Sequence, residues 1–466
     1  MTEKIHKILS ESKAARWAAL TIVSFTMFAG YFFADVMSPL EGMLDKQLHW
    51  NSADYGWFTG SYGWFNVFFL FLLFGGIILD KMGVRFTGIT SALVMVLGAG
   101  IKYWAISTHV LDGINWHVIF WTYPAQVWIA SLGFAIFGVG IEVAGITVSK
   151  VTVKWFRGRE MATAMGIQVA IARLGTAFAL STAFPIAKAF GHVSFPILGG
   201  LIMLCIGLLA YFVYTFQDKK LDVSQEAYDK LNNVVDDEEA FKMSDIWKII
   251  TNKGWWYIAI LCALFYSGVF PFLKYATNLM VLKYGVDENW AGSIPGLLPF
   301  GTILLTPFFG SLYDRKGKGA TIMIIGSLII ILVHFLFSLS FLNHFSIAIA
   351  LMLLLGIGFS LVPSAMWPSV PKIIPEKQLG TAYALIFLLQ NAWALMCAPA
   401  LIGWVLNKFC IVGKITIGGQ EMTQYNYTLP MLIFTSFGVL ALIFAFLLKI
   451  EDKKKGYGLE KPNIEN

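Results

Sequence analysis

Charge is scarce in this chain. Only 13% of its 466 residues are Asp, Glu, Lys or Arg, against 57% hydrophobic, which leaves too little polar surface to cover a water-soluble globule of this size. Cysteine is scarcer still. Cys205, Cys262, Cys397 and Cys410 are scattered, with no CxxC spacing, and neither a disulfide framework nor a metal site is implied. No HExxH or GxSxG stretch occurs, and no nucleophile and base stand in a recognisable arrangement, so an enzyme is not expected and no cofactor is called for.

What the chain has instead is apolar length. Stretches of about 20 residues, enough to cross a bilayer core of roughly 30 Å, recur near 16–36, 54–79, 86–107, 124–149, 162–187, 192–216, 254–281, 290–312, 319–341, 345–370, 380–407 and 427–449. Twelve spans put both termini on one side. That side collects about 26 of the 34 Lys and Arg residues, with about seven opposite and Arg173 between, so the termini are expected in the cytoplasm. The net charge of +6 follows from this bias and needs no nucleic-acid partner.

Two ionisable residues lie deep in lipid-compatible stretches: Glu142 in FGVGIEVAG and Arg173 in QVAIARLGTAF. An unpaired charge at that depth costs several kcal/mol, so such residues face a partner, a protein-lined cavity or a ligand. At 1.5 Å per residue Arg173 stands about 18 Å into span 5 and Glu142 about 12 Å from the cytoplasmic end of span 4. A cation and an anion across one cavity suit a small zwitterion. Arginine's planar fork matches a carboxylate and cannot lose its proton. The plain alternative is a structural ion pair locking two helices.

The chain also repeats itself. Gly76-Ile-Ile-Leu-Asp80-Lys81-Met-Gly83 after span 2 answers Gly310-Ser-Leu-Tyr-Asp314-Arg315-Lys-Gly317 after span 8. At an offset of 218 residues Glu142 meets Ser360, and Arg173 meets Asn391. The halves divide as 1–216, a polar cytoplasmic linker over 217–252, and 253–466. Two six-span repeats with substrate held between them is a common transporter plan, and one chain carrying both halves is expected to work as a monomer.

The two G-x-x-x-D-[RK]-x-G loops resemble those of the major facilitator superfamily, which implies an all-α membrane fold of two six-helix bundles. Lys154-Trp-Phe-Arg-Gly-Arg-Glu160 with Ile171-Ala-Arg173-Leu-Gly175, and Met366-Trp367-Pro368 with Pro375-Glu-Lys-Gln-Leu-Gly-Thr-Ala-Tyr383 and Gln390-Asn391, are similar to the lysosomal dipeptide uniporters of that superfamily. Tyr31-Phe-Phe-Ala-Asp35 and Gly63-Trp-Phe-Asn66-Val67 add to the likeness. The resemblance implies a dipeptide carrier working by alternating access, in which Glu142 takes the ammonium and Arg173 the carboxylate. In the run Phe270-Pro-Phe-Leu-Lys274 the family's lysine is displaced. No [DE]xxxL[LI] sorting signal precedes Trp17, and the expected location is the plasma membrane of a prokaryote.

Around that pair, Asp35 and Lys274 near the outer ends of spans 1 and 7 are candidates for substrate contact or gating. Asn66, Gln168, Ser360, Gln390 and Asn391 are polar groups in apolar helices and serve either as interhelical glue or as ligand contacts. Trp367 precedes a helix-breaking Pro368, where a gate could bend. Asp80, Arg85, Asp314 and Arg315 sit in cytoplasmic turns and read as a conformational latch. The rival within transport, an organic-anion or sugar-phosphate carrier, should show two or more buried cations, and only Arg173 is central.

Overall fold

The computed structural model describes residues 9–118, 120–156, 161–232, 244–375, 378–417 and 420–462. Residues 157–160 and 376–377 of the motif-bearing turns, and the side chain of Asp80, lie outside that description. The first half runs through α1 (Lys13–Asp35), a short outer helix α2 (Glu41–Leu48), α3 (Ser52–Gly60), α4 (Trp64–Phe68) and α5 (Phe71–Ser107), which the turn at Gly83 divides between two spans. Strands β1 (Asn115–Val118) and β2 (Trp121–Pro124) follow, then α6 (Ala125–Phe156), α7 (Met161–Phe190) and α8 (Ser194–Asn232). The second half comprises α9 (Ser244–Ile250), α10 (Lys253–Ser267), α11 (Phe270–Tyr284), α12 (Glu288–Ala291), α13 (Ser293–Lys316), α14 (Gly319–Ser338) and α15 (Phe345–Ile373). It ends with α16 (Leu379–Gln390), a π-helical turn (Asn391–Cys397), α17 (Ala398–Phe409), β3 (Ile411–Ile417), β4 (Gln420–Tyr425) and α18 (Thr428–Lys455).

Among the described residues eleven helices are long and apolar enough to cross a membrane. A twelfth span is made by a broken pair, 52–68 with 71–79, bent by 57°. The uninterrupted span expected over 54–79 is therefore corrected. No Gly or Pro marks the break, which falls at Leu70 with φ +55, a left-handed conformation that costs a non-glycine residue energy. On the near side of the break the Asn66 amide donates to the Gly138 carbonyl of α6 at 3.2 Å, tying α4 down. The helical reading also missed two antiparallel hairpins, β1–β2 and β3–β4, both on the face opposite the termini, called the outer side below.

The paired loop motifs have a common backbone reason. Gly83 (φ +75) and Gly317 (φ +67) close the two turns in a conformation that residues with a Cβ avoid. Within the first half α1 packs on α6, α7 and α8, and α5 on α6 and α8; within the second, α10 packs on α16 and α18, and α14 on α15 and α18. The most extensive contacts between the halves are two crossed ones, α3 with α17 and α7 with α13.

The α3–α17 crossing depends on two glycines. A Cβ on Gly56 would come within 2.9 Å of Gly403 Cα and the Pro399 carbonyl and 2.8 Å of the Tyr275 hydroxyl. Lipid supplies no hydrophobic drive between helices, so such close backbone approach is what holds them. Gly56→Val is expected to fold, because each half packs on itself, yet to disfavour closure of the outer side. Cysteines placed along the outer seam of this variant should react with a membrane-impermeant maleimide several-fold faster than in the parent.

Candidate substrate site at the seam between the halves

Glu142 and Arg173 do not pair. Tyr62, in the turn between α3 and α4, donates its hydroxyl to Glu142 Oε1 at 2.7 Å. Arg173, on α7, has no carboxylate partner among the described residues. Its guanidinium carbon lies 5.7 Å from the Tyr31 ring centre, 5.8 Å from Phe270 and 5.2 Å from Phe359. Tyr31 belongs to α1, but Phe270 and Phe359 stand on α11 and α15 across the seam, so Arg173 faces the other half. Aromatic faces hold a guanidinium at about 0.5–2 kcal/mol and leave its N–H fork available to a carboxylate. Glu142 and Arg173 are both only part-buried, and Tyr31 lies within electrostatic reach of both. The structural ion pair is absent from the described residues.

From Arg173 an aromatic wall continues over the second half. Phe270 stacks on Tyr266 with ring centres 4.9 Å apart, Trp367 Nε1 donates to the Tyr266 hydroxyl at 3.4 Å, and Trp367 stacks on Phe387 at 5.0 Å. The Tyr383 hydroxyl donates to the Trp367 carbonyl at 3.0 Å. Trp367 is thus part of the wall.

Asp35 and Lys274 form the contact that shuts the seam above this region. Lys274 Nζ lies 2.6 Å from Asp35 Oδ1 and 3.0 Å from the Ala34 carbonyl, joining α11 to the end of α1, and Thr176 donates to Asp35 Oδ2 at 2.8 Å. The Lys274 and Asp35 side chains are only 13% and 15% exposed.

The neutral candidates are dispersed. Asn66 binds Gly138; Gln168 accepts from Thr152 at 3.3 Å; Ser360 donates to Gly356 one turn back at 2.9 Å; Gln390 accepts from the Cys262 thiol at 3.5 Å. Asn391 opens the π-helical turn, donates to the Phe387 carbonyl at 2.9 Å and keeps a buried Oδ1 with no partner among the described residues. The expected symmetry of Asn391 with Arg173 is not matched by contact, since the Asn391 backbone packs beneath Gly63. Of the cytoplasmic latch residues, Arg85 pairs with Asp222 at 3.0 Å and Asp218 at 3.8 Å on α8, inside its own half. Arg315 is exposed and Asp314 part-buried at the end of α13.

Sequence reasoning missed several residues. Tyr31 lies one turn before Asp35 on α1, a spacing that puts the two on one face. Phe359 carried no signal among 39 phenylalanines. Lys102, counted among the outer cations, is fully buried, its Nζ 4.3 Å from Phe33, 4.5 Å from Phe134 and 5.2 Å from Phe58 ring centres.

The family model for the Major Facilitator Superfamily matches residues 20–399. The chain belongs to that superfamily. Its relatives include proteins named "Lysosomal dipeptide transporter MFSD1" from Danio rerio and Homo sapiens, 26% and 25% identical over 391 and 390 residues, spanning 81% of this chain and 77% of each relative. Among solved structures, a point mutant of the nucleoside transporter NupG superposes with a TM-score of 0.69 at 15% identity, covering 93% of this chain and 99% of the other. A bacterial homologue of the human lysosomal transporter Spinster, inward-facing and occupied, gives 0.68 at 12% identity, covering 95% and 98%. A point mutant of the peptide transporter POT gives 0.66 at 13%, covering 95% of both chains. This major facilitator is therefore a multi-pass membrane transporter of the MFSD1 type and not an enzyme, and the solved neighbours establish its fold alone.

Proposed function

We propose that this transporter carries dipeptides, with Arg173 receiving the free carboxylate and Glu142 the free ammonium. The supporting observation is that the two opposite charges of the seam are held apart, Glu142 by Tyr62 and Arg173 by three aromatic rings, so that neither neutralises the other. A zwitterion would meet both. The relatives named as dipeptide transporters favour the same substrate. Side chains would lie against the Tyr266, Phe270, Phe359 and Trp367 wall, which reads bulk and polarisability rather than one chemistry. An anion carrier would need a second reachable cation, and Lys102 is enclosed by Phe33, Phe58 and Phe134.

Glu142→Gln keeps the hydrogen-bonding shape while removing the charge. The variant is expected to fold and to lose its preference for a free amine, so that N-acetylated and free dipeptides compete within a few-fold of each other. Competition against labelled dipeptide uptake in proteoliposomes reads this out. Unchanged selectivity would return Glu142 to a structural role.

A further inference from the structure

Outside the substrate region, one buried carboxylate lies on the seam without a cation among the described residues. Glu41, the first residue of α2, is 3% exposed. Its Oε1 accepts from Ser52 Oγ at 2.6 Å, while its buried Oε2 has no partner within ordinary hydrogen-bond distance, and the only other side-chain donor acting on the carboxylate is the neutral Asn278 amide of α11 across the seam. The cleft it faces is shared between halves: Asp45, Trp50 and Ser52 come from the first, Asn278 on α11 and Met422 and Tyr425 of β4 from the second.

The charged groups around it are already engaged. On α2 itself, Asp45 accepts from the Thr423 N–H at 2.8 Å, and Lys46 is paired with Glu288 of α12 at 2.8 Å. From α3, Asp54 accepts from the Asn51 N–H at 2.9 Å. The Tyr55 hydroxyl donates to the Lys274 carbonyl at 3.1 Å, and Tyr275 of α11 donates to the Pro399 carbonyl at 2.8 Å. On β4, Tyr425 accepts from the Ser52 N–H at 3.3 Å and Glu421 pairs with Lys414 at 3.3 Å. Lys274 belongs to Asp35. The buried Tyr427 hydroxyl lies on the far side of the Asn278 amide, with no partner within ordinary hydrogen-bond distance among the described residues.

We propose that Glu41 is a proton-binding site of the outer gate, occupied when the gate is closed and vacated when it opens. The physical reason is the cost of enclosing an unpaired charge, which a neutral carboxylic acid avoids. When α2 separates from α11 and β4, water reaches Glu41 and the carboxylate is stable without a partner. Closure therefore takes up one proton, and acid at the outer side favours the closed gate. The inference concerns the gate only and holds whatever substrate the seam carries.

Spin labels on His109→Cys and Asn343→Cys, both on exposed outer turns of opposite halves, report the separation in nanodiscs once the four native cysteines are replaced. In the otherwise native protein the open-to-closed ratio should fall as pH drops from about 8 to about 5, by up to about tenfold per pH unit, the ceiling for one linked proton. Glu41→Gln should stay closed at every pH. Should that variant fail to fold, Asn278→Lys decides the matter, because a cation across the seam lets Glu41 close ionised and should remove the pH dependence. A ratio that does not move with pH in the native protein, or a pH dependence that survives in these variants, overturns the proposal.

Discussion

Arg173→Lys is expected to give a folded protein whose dipeptide uptake is reduced by about ten- to a hundredfold. The loss follows from replacing a bidentate, charge-assisted contact by a point charge, a difference of roughly 1.5–3 kcal/mol. The surroundings sharpen it. Tyr31, Phe270 and Phe359 present their rings to the guanidinium, and a shorter, rounder ammonium would fill that enclosure poorly while holding its own water more tightly. Uptake of a labelled dipeptide in proteoliposomes, with gel filtration to confirm folding, checks the result. Full activity in the lysine variant would remove the carboxylate role.

Lys274→Ala is expected to act on the gate rather than on the ligand. It leaves Asp35 nearly enclosed with only Thr176 as a side-chain donor among the described residues, and stripping one partner from a buried pair costs about 3–5 kcal/mol. That cost falls on the outer-closed state alone, since opening exposes Asp35 to water. The open-to-closed ratio should rise by about two orders of magnitude or more, because each step of about 1.4 kcal/mol is tenfold. Maleimide labelling of outer-seam cysteines should report the shift, and Lys274→Ala combined with Asp35→Asn should recover most of the closed population. A double variant as open as the single one would show that the pair does not hold the gate.

Much of this arrangement was legible because membranes enforce simple rules. Span lengths, the lysine and arginine bias and the repeated G-x-x-x-D-[RK]-x-G turns each rest on one strong constraint, and Gly83 and Gly317 show the backbone reason for the last. Glu142 and Arg173 stood out because a charge at mid-span is rare. What stayed hidden was pairing. Nothing in the order of residues says that Glu142 meets Tyr62 instead of Arg173, or that the break in span 2 falls at Leu70, since both are decided by helices far apart in the chain. The burial of Lys102 stayed hidden for the same reason: a lysine near a predicted helix end is ordinarily wet, and only the convergence of Phe33, Phe58 and Phe134 encloses it. Symmetry pointed to Asn391 but not to its setting, a π-helical turn whose backbone lies beneath Gly63.

The most direct test of the substrate assignment is competition in proteoliposomes between one labelled dipeptide and three unlabelled forms of it: free, C-terminally amidated and N-terminally acetylated. Two separated charges that each receive one terminus predict strong competition by the free form and at least about tenfold weaker competition by either blocked form, each lost terminus removing a charge-assisted contact. Equal competition by all three would contradict the reading of Arg173 and Glu142 as a site for the two ends of a peptide.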